Sequence, residues 1–137
     1  MTSHKPALLL AILLAGTVFT IAPSSPADAA SLPLCTTTVF RNLARVPASS
    51  GGSTSCLIGD GLVGCSGCWA VRALQQSLNH CHGAHLEEDG IWGRLTREAL
   101  RDVQEDRNIT PDGIYGPASR DAMRHHTPDP QVSCARV

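Results

Sequence analysis

"DGIWG", Asp89 to Gly93, returns 23 residues later as "DGIYG", Asp112 to Gly116, and the sequence after each copy continues in step. "DGIWGRLTREALR" and "DGIYGPASRDAMR" align without a gap. Thr96 meets Ser119, Arg97 meets Arg120, Glu98 meets Asp121, Ala99 meets Ala122 and Leu100 meets Met123. One turn-plus-helix unit is therefore written twice, too few copies for a solenoid and enough for an internal repeat inside one small domain. Within the unit, Asp accepts a hydrogen bond from the backbone N–H two residues on, and the Gly behind it tolerates positive φ. Ile is expected to dip into the core and the aromatic to cover the turn. The second Gly then stands at the N-cap of the helix.

Outward from the turns, apolar periodicity predicts three helices. In "WAVRALQQSLNHC", from Trp69, the residues Val71, Leu74 and Leu78 share one face, and Gly83 is a C-terminal stop. "RLTREALRDVQEDR" is the second helix, with Leu95, Ala99, Leu100 and Val103 inward and Asn108 left-handed at its end. "PASRDAMRHH" is the third. Pro117 takes its first position, Ala118, Ala122 and Met123 face inward, and His125 and His126 fall in the last turn. Pro128 and Pro130 prevent continuation.

The first thirty residues read differently. A basic start (His4, Lys5), an apolar run from Ala7 to Ala22 and Ala27-Asp28-Ala29 have the order of a secretory signal peptide cleaved after Ala29, so no stable membrane anchor is expected. The chain beyond it has no lysine, and its near-balanced charge argues against nucleic acid as a partner. Aromatics are only 4% of the chain, which limits the core and makes cross-links valuable. Cys35, Cys56, Cys65, Cys68, Cys81 and Cys134 are an even set, read as three disulfides worth about 2–4 kcal/mol each. Their connectivity is open, except that Cys68 and Cys81 bracket a helix and would stand about 20 Å apart. Residues 30–67 are rich in Gly, Ser and Cys. "VPASSGGSTS" (Val46 to Ser55) reads as loop, with a short strand in "TTTVFRNL" (Thr36 to Leu43).

A helix carrying Val71, Leu74, Gln75, Leu78 and Asn79, followed by Asp89-Gly90-Ile91-Trp92-Gly93, Thr96, Ala99 and Gln104, then Asp112-Gly113-Ile114-Tyr115-Gly116-Pro117, resembles the three-helix peptidoglycan-binding domain of bacterial cell-wall proteins. It departs in having Val103 before Gln104, "NITPDG" before the second turn, and a cysteine-rich segment ahead of the first helix. The resemblance implies an all-α three-helix bundle at 68–127; outside it, the composition makes 30–67 a disulfide-tied irregular extension and leaves 128–137 as a tail. It also implies a secreted or wall-associated, non-catalytic, monomeric protein that binds the glycan strand or stem peptide of peptidoglycan, with no cofactor. Asp89, Trp92, Asp112, Tyr115 and Arg97 become the candidate binding residues, the two rings being either core covers or stacking platforms. A regulator of a wall enzyme is the alternative, and a small wall hydrolase the third reading.

Other constellations are weaker. Cys65, Cys68, His80 and His85 have zinc-finger spacing, but the segment between them reads as one helix, and an oxidising compartment favours disulfides. "CSGC" (Cys65 to Cys68) lacks the βαβ surroundings of a redox pair. Neither a Gly-x-Ser-x-Gly elbow nor a His-Glu-x-x-His helix occurs in the sequence. Arg94, Arg97 and Arg101 form a helical stripe with Glu98 and Glu105 one turn away, a salt-bridged face in which Arg can also pair with carboxylates.

Overall fold

The computed structural model describes residues 32–61 and 68–137; the signal-peptide expectation and Cys65 lie outside them. The chain begins with a hairpin of β1 (Thr37–Arg41) and β2 (Ala44–Ala48). Three helices follow: α1 (Trp69–His82), α2 (Arg94–Asp106) and α3 (Pro117–Ala122). Two-residue strands β3 (His125–His126) and β4 (Cys134–Ala135) close the chain as a second antiparallel pair. The all-α expectation is thus overturned by two small antiparallel sheets.

The hairpin forms because "TTVFR" is rich in β-branched and aromatic residues. Asn42 and Leu43 between the strands both take positive φ, 47° and 67°, which suits the twist of a two-residue hairpin. Val46, Pro47 and Ala48, the first three residues of the stretch expected to be loop, belong instead to β2, with Val46 opposite Val39. Ala44, Val46 and Ala48 alternate along β2 and are all fully buried.

The core is Val71, Leu74 and Leu78 of α1, Leu100 and Val103 of α2, Tyr115 and Met123, together with Cys35, Cys56 and Ile58 of the N-terminal segment. That segment shares one core with the helices. Ile58 and Tyr115 exchange backbone hydrogen bonds of 2.9 and 2.8 Å as an isolated antiparallel bridge, so a residue of the N-terminal segment clamps the second turn. Disulfides join Cys35 to Cys56 and Cys81 to Cys134, and Cys68 is also disulfide-bonded.

Helix 1 ends at Gly83 (φ 74°) and helix 2 is followed by Asn108 (φ 56°), as their residue types require. Leu100, Val103 and Met123 face inward as expected, but the rest of the two faces departs from expectation. Helix 2 buries Thr96, Leu100, Val103 and Gln104, while Leu95 is 61% exposed. Helix 3 stops four residues early, buries Ser119 and leaves Ala118 exposed. Met123 is extended, which carries it into the core and sends His125 and His126 into β3 opposite Ala135 and Cys134. Ser77 of α1 fixes that crossing by accepting the His126 N–H at 3.1 Å. No helix among the described residues is long and apolar enough to cross a membrane.

His125 is fully buried. Its Nε2 stands 3.0 Å from the Arg120 carbonyl, which can only accept, so Nε2 carries the proton. Nδ1 is buried without a partner, and burial pushes the imidazole down to about 4. The unfolded chain takes up this proton near pH 6.5 and the folded one only near pH 4, so stability is lost as pH falls through that window. The full loss is about 3 kcal/mol. His82 and His126 are shifted the same way, chiefly by burial. Thermal melts between pH 7 and pH 4 are expected to show a falling midpoint, and His125→Gln a shallower fall; an equal slope in both would remove His125 as its source.

Candidate functional site

Each repeat turn is built on a buried glutamine. Gln75 of α1 donates from Nε2 to Asp89 Oδ1 (2.9 Å), the Ile91 carbonyl (3.1 Å) and Thr96 Oγ1 (3.3 Å), and its Oε1 accepts from Gly90 N (2.8 Å). Gln104 of α2 repeats the set. Nε2 donates to Asp112 Oδ1 (2.9 Å), the Ile114 carbonyl (3.0 Å) and Ser119 Oγ (2.9 Å), and Oε1 accepts from Gly113 N (2.8 Å). Both glutamines are 2% exposed. Each side-chain amide thus stitches one turn and the first turn of the following helix to the helix before it. The pairing of Thr96 with Ser119 in the aligned repeats has this cause.

Asp89 and Asp112 also accept, through the same Oδ1, the N–H of Ile91 and of Ile114 at 2.8 Å. The expected turn hydrogen bond is therefore present in both copies. Asp89 is held below the usual carboxylate range, first by the Gln75 amide and then by the Ile91 N–H. Gly90 and Gly113 have φ 75° and 71°. At Gly113 an added Cβ would also stand 2.8 Å from Cγ of Arg97, so the close approach as well as the angle demands glycine.

The isoleucine and the aromatic have exchanged their expected places. The Ile carbonyl must face the glutamine. In extended backbone the next side chain then turns inward. Ile91 is 51% exposed, whereas Tyr115 is fully buried, edge-on to His125, with its hydroxyl unpartnered and its phenol pushed up by burial. Tyr115 offers no ring face to a ligand. Trp92 is half-buried against the core, and its Nε1 donates to Asp60 Oδ1 at 2.9 Å. The other Asp60 oxygen pairs with Arg97 Nη1. Asp60 is held below the ordinary range first by the indole N–H, against desolvation, and then by Arg97.

The structure therefore brings Trp92, Arg97 and the second turn together through Asp60 and the Arg97 stem, while Asp89 lies in the first turn and Tyr115 lies inside. Sequence reasoning missed Asp60, whose partners are 32 and 37 residues away. It also left Gln75 and Gln104 without a role. The signal for them was a glutamine beside an apolar stripe ahead of each Asp-Gly turn. Outside the second turn lies an open groove of about 510 Å³, whose lining includes Leu57, Ile109, Asp112, Ile114, Pro117 and Ala118. It offers apolar walls with a carboxylate on the rim.

The model of the peptidoglycan binding domain family matches residues 70–123. That span runs from the start of α1 to Met123 and contains both glutamines and both turns. Comparison with curated proteins and with solved structures gave no match. The matched span thus includes the repeat up to Met123 and the groove, except for Leu57, which the N-terminal segment supplies.

Removing one amide from this scheme strands several buried partners at once. Gln104→Ala is expected to destabilise the fold by about 3 kcal/mol. Asp60→Ala, which cuts an exposed ion pair and one indole hydrogen bond, is expected to leave the unfolding midpoint close to that of the wild type. Urea unfolding of the two variants measures both; a Gln104→Ala cost as small as that of Asp60→Ala would refute the central role of the amide.

Proposed function

We propose that this chain is an exported, non-catalytic protein that binds peptidoglycan through the groove beside the second Asp-Gly turn. The family match over 70–123 carries this reading, and the groove's composition supports it. Ile109, Ile114, Pro117 and Ala118 present apolar surface to a sugar ring or a small side chain. Asp112, fixed through one oxygen by Gln104 and Ile114, can accept from ligand N–H or hydroxyl groups. The groove is open and shallow, so a single contact is weak and the polymer's repeats supply avidity. Carboxylates such as Asp60 and Asp89 are held below their ordinary range, opposite to what a general acid working near neutrality requires. The disulfides suit an oxidising location outside the cytosol, at or near the wall.

Ala118 is exposed at the groove edge, so a long side chain there obstructs the groove without entering the core. Ala118→Arg is expected to lower retention on purified insoluble cell walls at least about tenfold with the melting temperature unchanged. Wild-type protein that washes off walls at moderate salt would sink the proposal. Clearing of a wall suspension by the purified protein would instead favour a hydrolase.

A further inference from the structure

A second, smaller cleft of about 180 Å³ opens beside α1, away from both repeat turns. Three separate segments line it: Arg45 of β2; Trp69, Arg72 and Gln76 on α1; and His126 of β3 with Pro128 beyond it. Trp69, Arg72 and Gln76 are spaced at three and four residues and so share one stripe of the helix. Four of the seven lining residues, Arg45, Trp69, His126 and Pro128, fall outside the span matched by the family model.

The chemistry of the lining is one-sided. No carboxylate lines the cleft. The Arg72 guanidinium stands 5.9 Å from the centroid of Trp69, and that of Arg45 stands 5.3 Å from the ring of Phe40. Both are held over aromatic faces, and among the described residues neither is in a salt bridge, unlike Arg94, Arg97 and Arg120; Arg72 acts on the Asp89 carboxylate only through its charge. Arg72 donates from Nε to the Glu88 carbonyl at 2.5 Å, which fixes its plane while its terminal nitrogens have no protein acceptor among the described residues. The nearby Glu88 carboxylate is engaged by Asn79 (3.1 Å) and faces His80 (3.4 Å). Trp69 is 58% exposed and, with Pro128, supplies an apolar wall. Two guanidiniums over an apolar wall, with an amide beside them, suit an anion with a small apolar body. Guanidinium forks pair with carboxylates in particular.

We propose that this cleft is a second binding site, which takes a carboxylate carried on a small body. Naming its source rests on the peptidoglycan reading, whereas the carboxylate chemistry does not. The sources are the free terminal carboxylate of a stem peptide and the lactyl carboxylate of muramic acid. Occupied together with the groove of the second turn, the cleft would make one small domain bivalent toward the polymer.

The test is a proton–nitrogen NMR titration of the full chain with three probes: a stem tripeptide with a free terminus, N-acetylmuramic acid and neutral N-acetylglucosamine. A carboxylated probe is expected to shift the Trp69 indole N–H saturably, the neutral sugar is not, and the two acids identify the source. Arg45→Gln with Arg72→Gln is expected to weaken that binding at least about tenfold at unchanged far-UV circular dichroism. Ala118→Arg, at the other groove, is expected to leave the shift intact even where wall retention is lost, so the two sites fail separately. Silence of Trp69 toward both acids, an equal response to the neutral sugar, or wild-type affinity in the folded double variant overturns the proposal. Should the double variant not fold, the wild-type titration decides alone.

Discussion

Two buried side-chain amides organise this protein. Gln75 and Gln104 each use donor and acceptor on four groups: a carboxylate, a carbonyl, a hydroxyl and a backbone N–H. In a core this poor in aromatics, apolar contact alone would leave the connecting turns loosely held. A buried amide is costly unless its hydrogen bonds are made, so a fully satisfied one admits a single arrangement of the chain around it. Helix 1 therefore dictates the first turn and the start of helix 2, and helix 2 dictates the second turn and the start of helix 3.

Much else follows from that constraint. The Ile carbonyls point to the amides, so the isoleucines go outward and the aromatics go in. Thr96 and Ser119 turn inward to meet the amides, and Leu95 is left at the surface. Helix 3 needs only enough length to present Ser119 before the chain extends to bury Met123 and His125. The N-terminal segment fills the remaining side of the core. Ile58 clamps the second turn, Leu57 walls the groove beside it, and Asp60 ties Trp92 to Arg97.

The surface then divides by chemistry. The groove at the second turn is apolar with an acid on its rim and, Leu57 apart, lies within the span matched by the family model. The cleft beside α1 is basic with an aromatic wall and is assembled from α1 together with segments on either side of the matched span. A repeat domain with little surface of its own gains its second face from the hairpin and the tail, which the Cys81–Cys134 disulfide holds against α1.

Local rules made the turns, the start of each helix and the stops at Gly83 and Asn108 legible, because Asp-Gly turns, N-cap glycines and left-handed termini depend on a few adjacent residues. The exclusion of a Cys68–Cys81 pair also needed only helix rise, and the structure pairs Cys81 with Cys134. Periodicity placed Leu100, Val103 and Met123 inward but also Leu95 and Ala118, because it counts apolar residues and passes over the buried polar Thr96, Gln104 and Ser119. The burial of Ala44, Val46, Pro47 and Ala48 was hidden in a Pro/Ser-rich stretch, and the pairing of His125 and His126 with Ala135 and Cys134 lies between short segments with no period to read. The sequence by itself determined a twice-written turn-and-helix unit in a cross-linked chain. Only the tertiary structure decided that Tyr115 is core, that Asp60 joins Trp92 to Arg97, and that two guanidiniums share a cleft. Those outcomes depend on groups far apart in sequence meeting where a buried amide and a shared core leave the backbone one way to run.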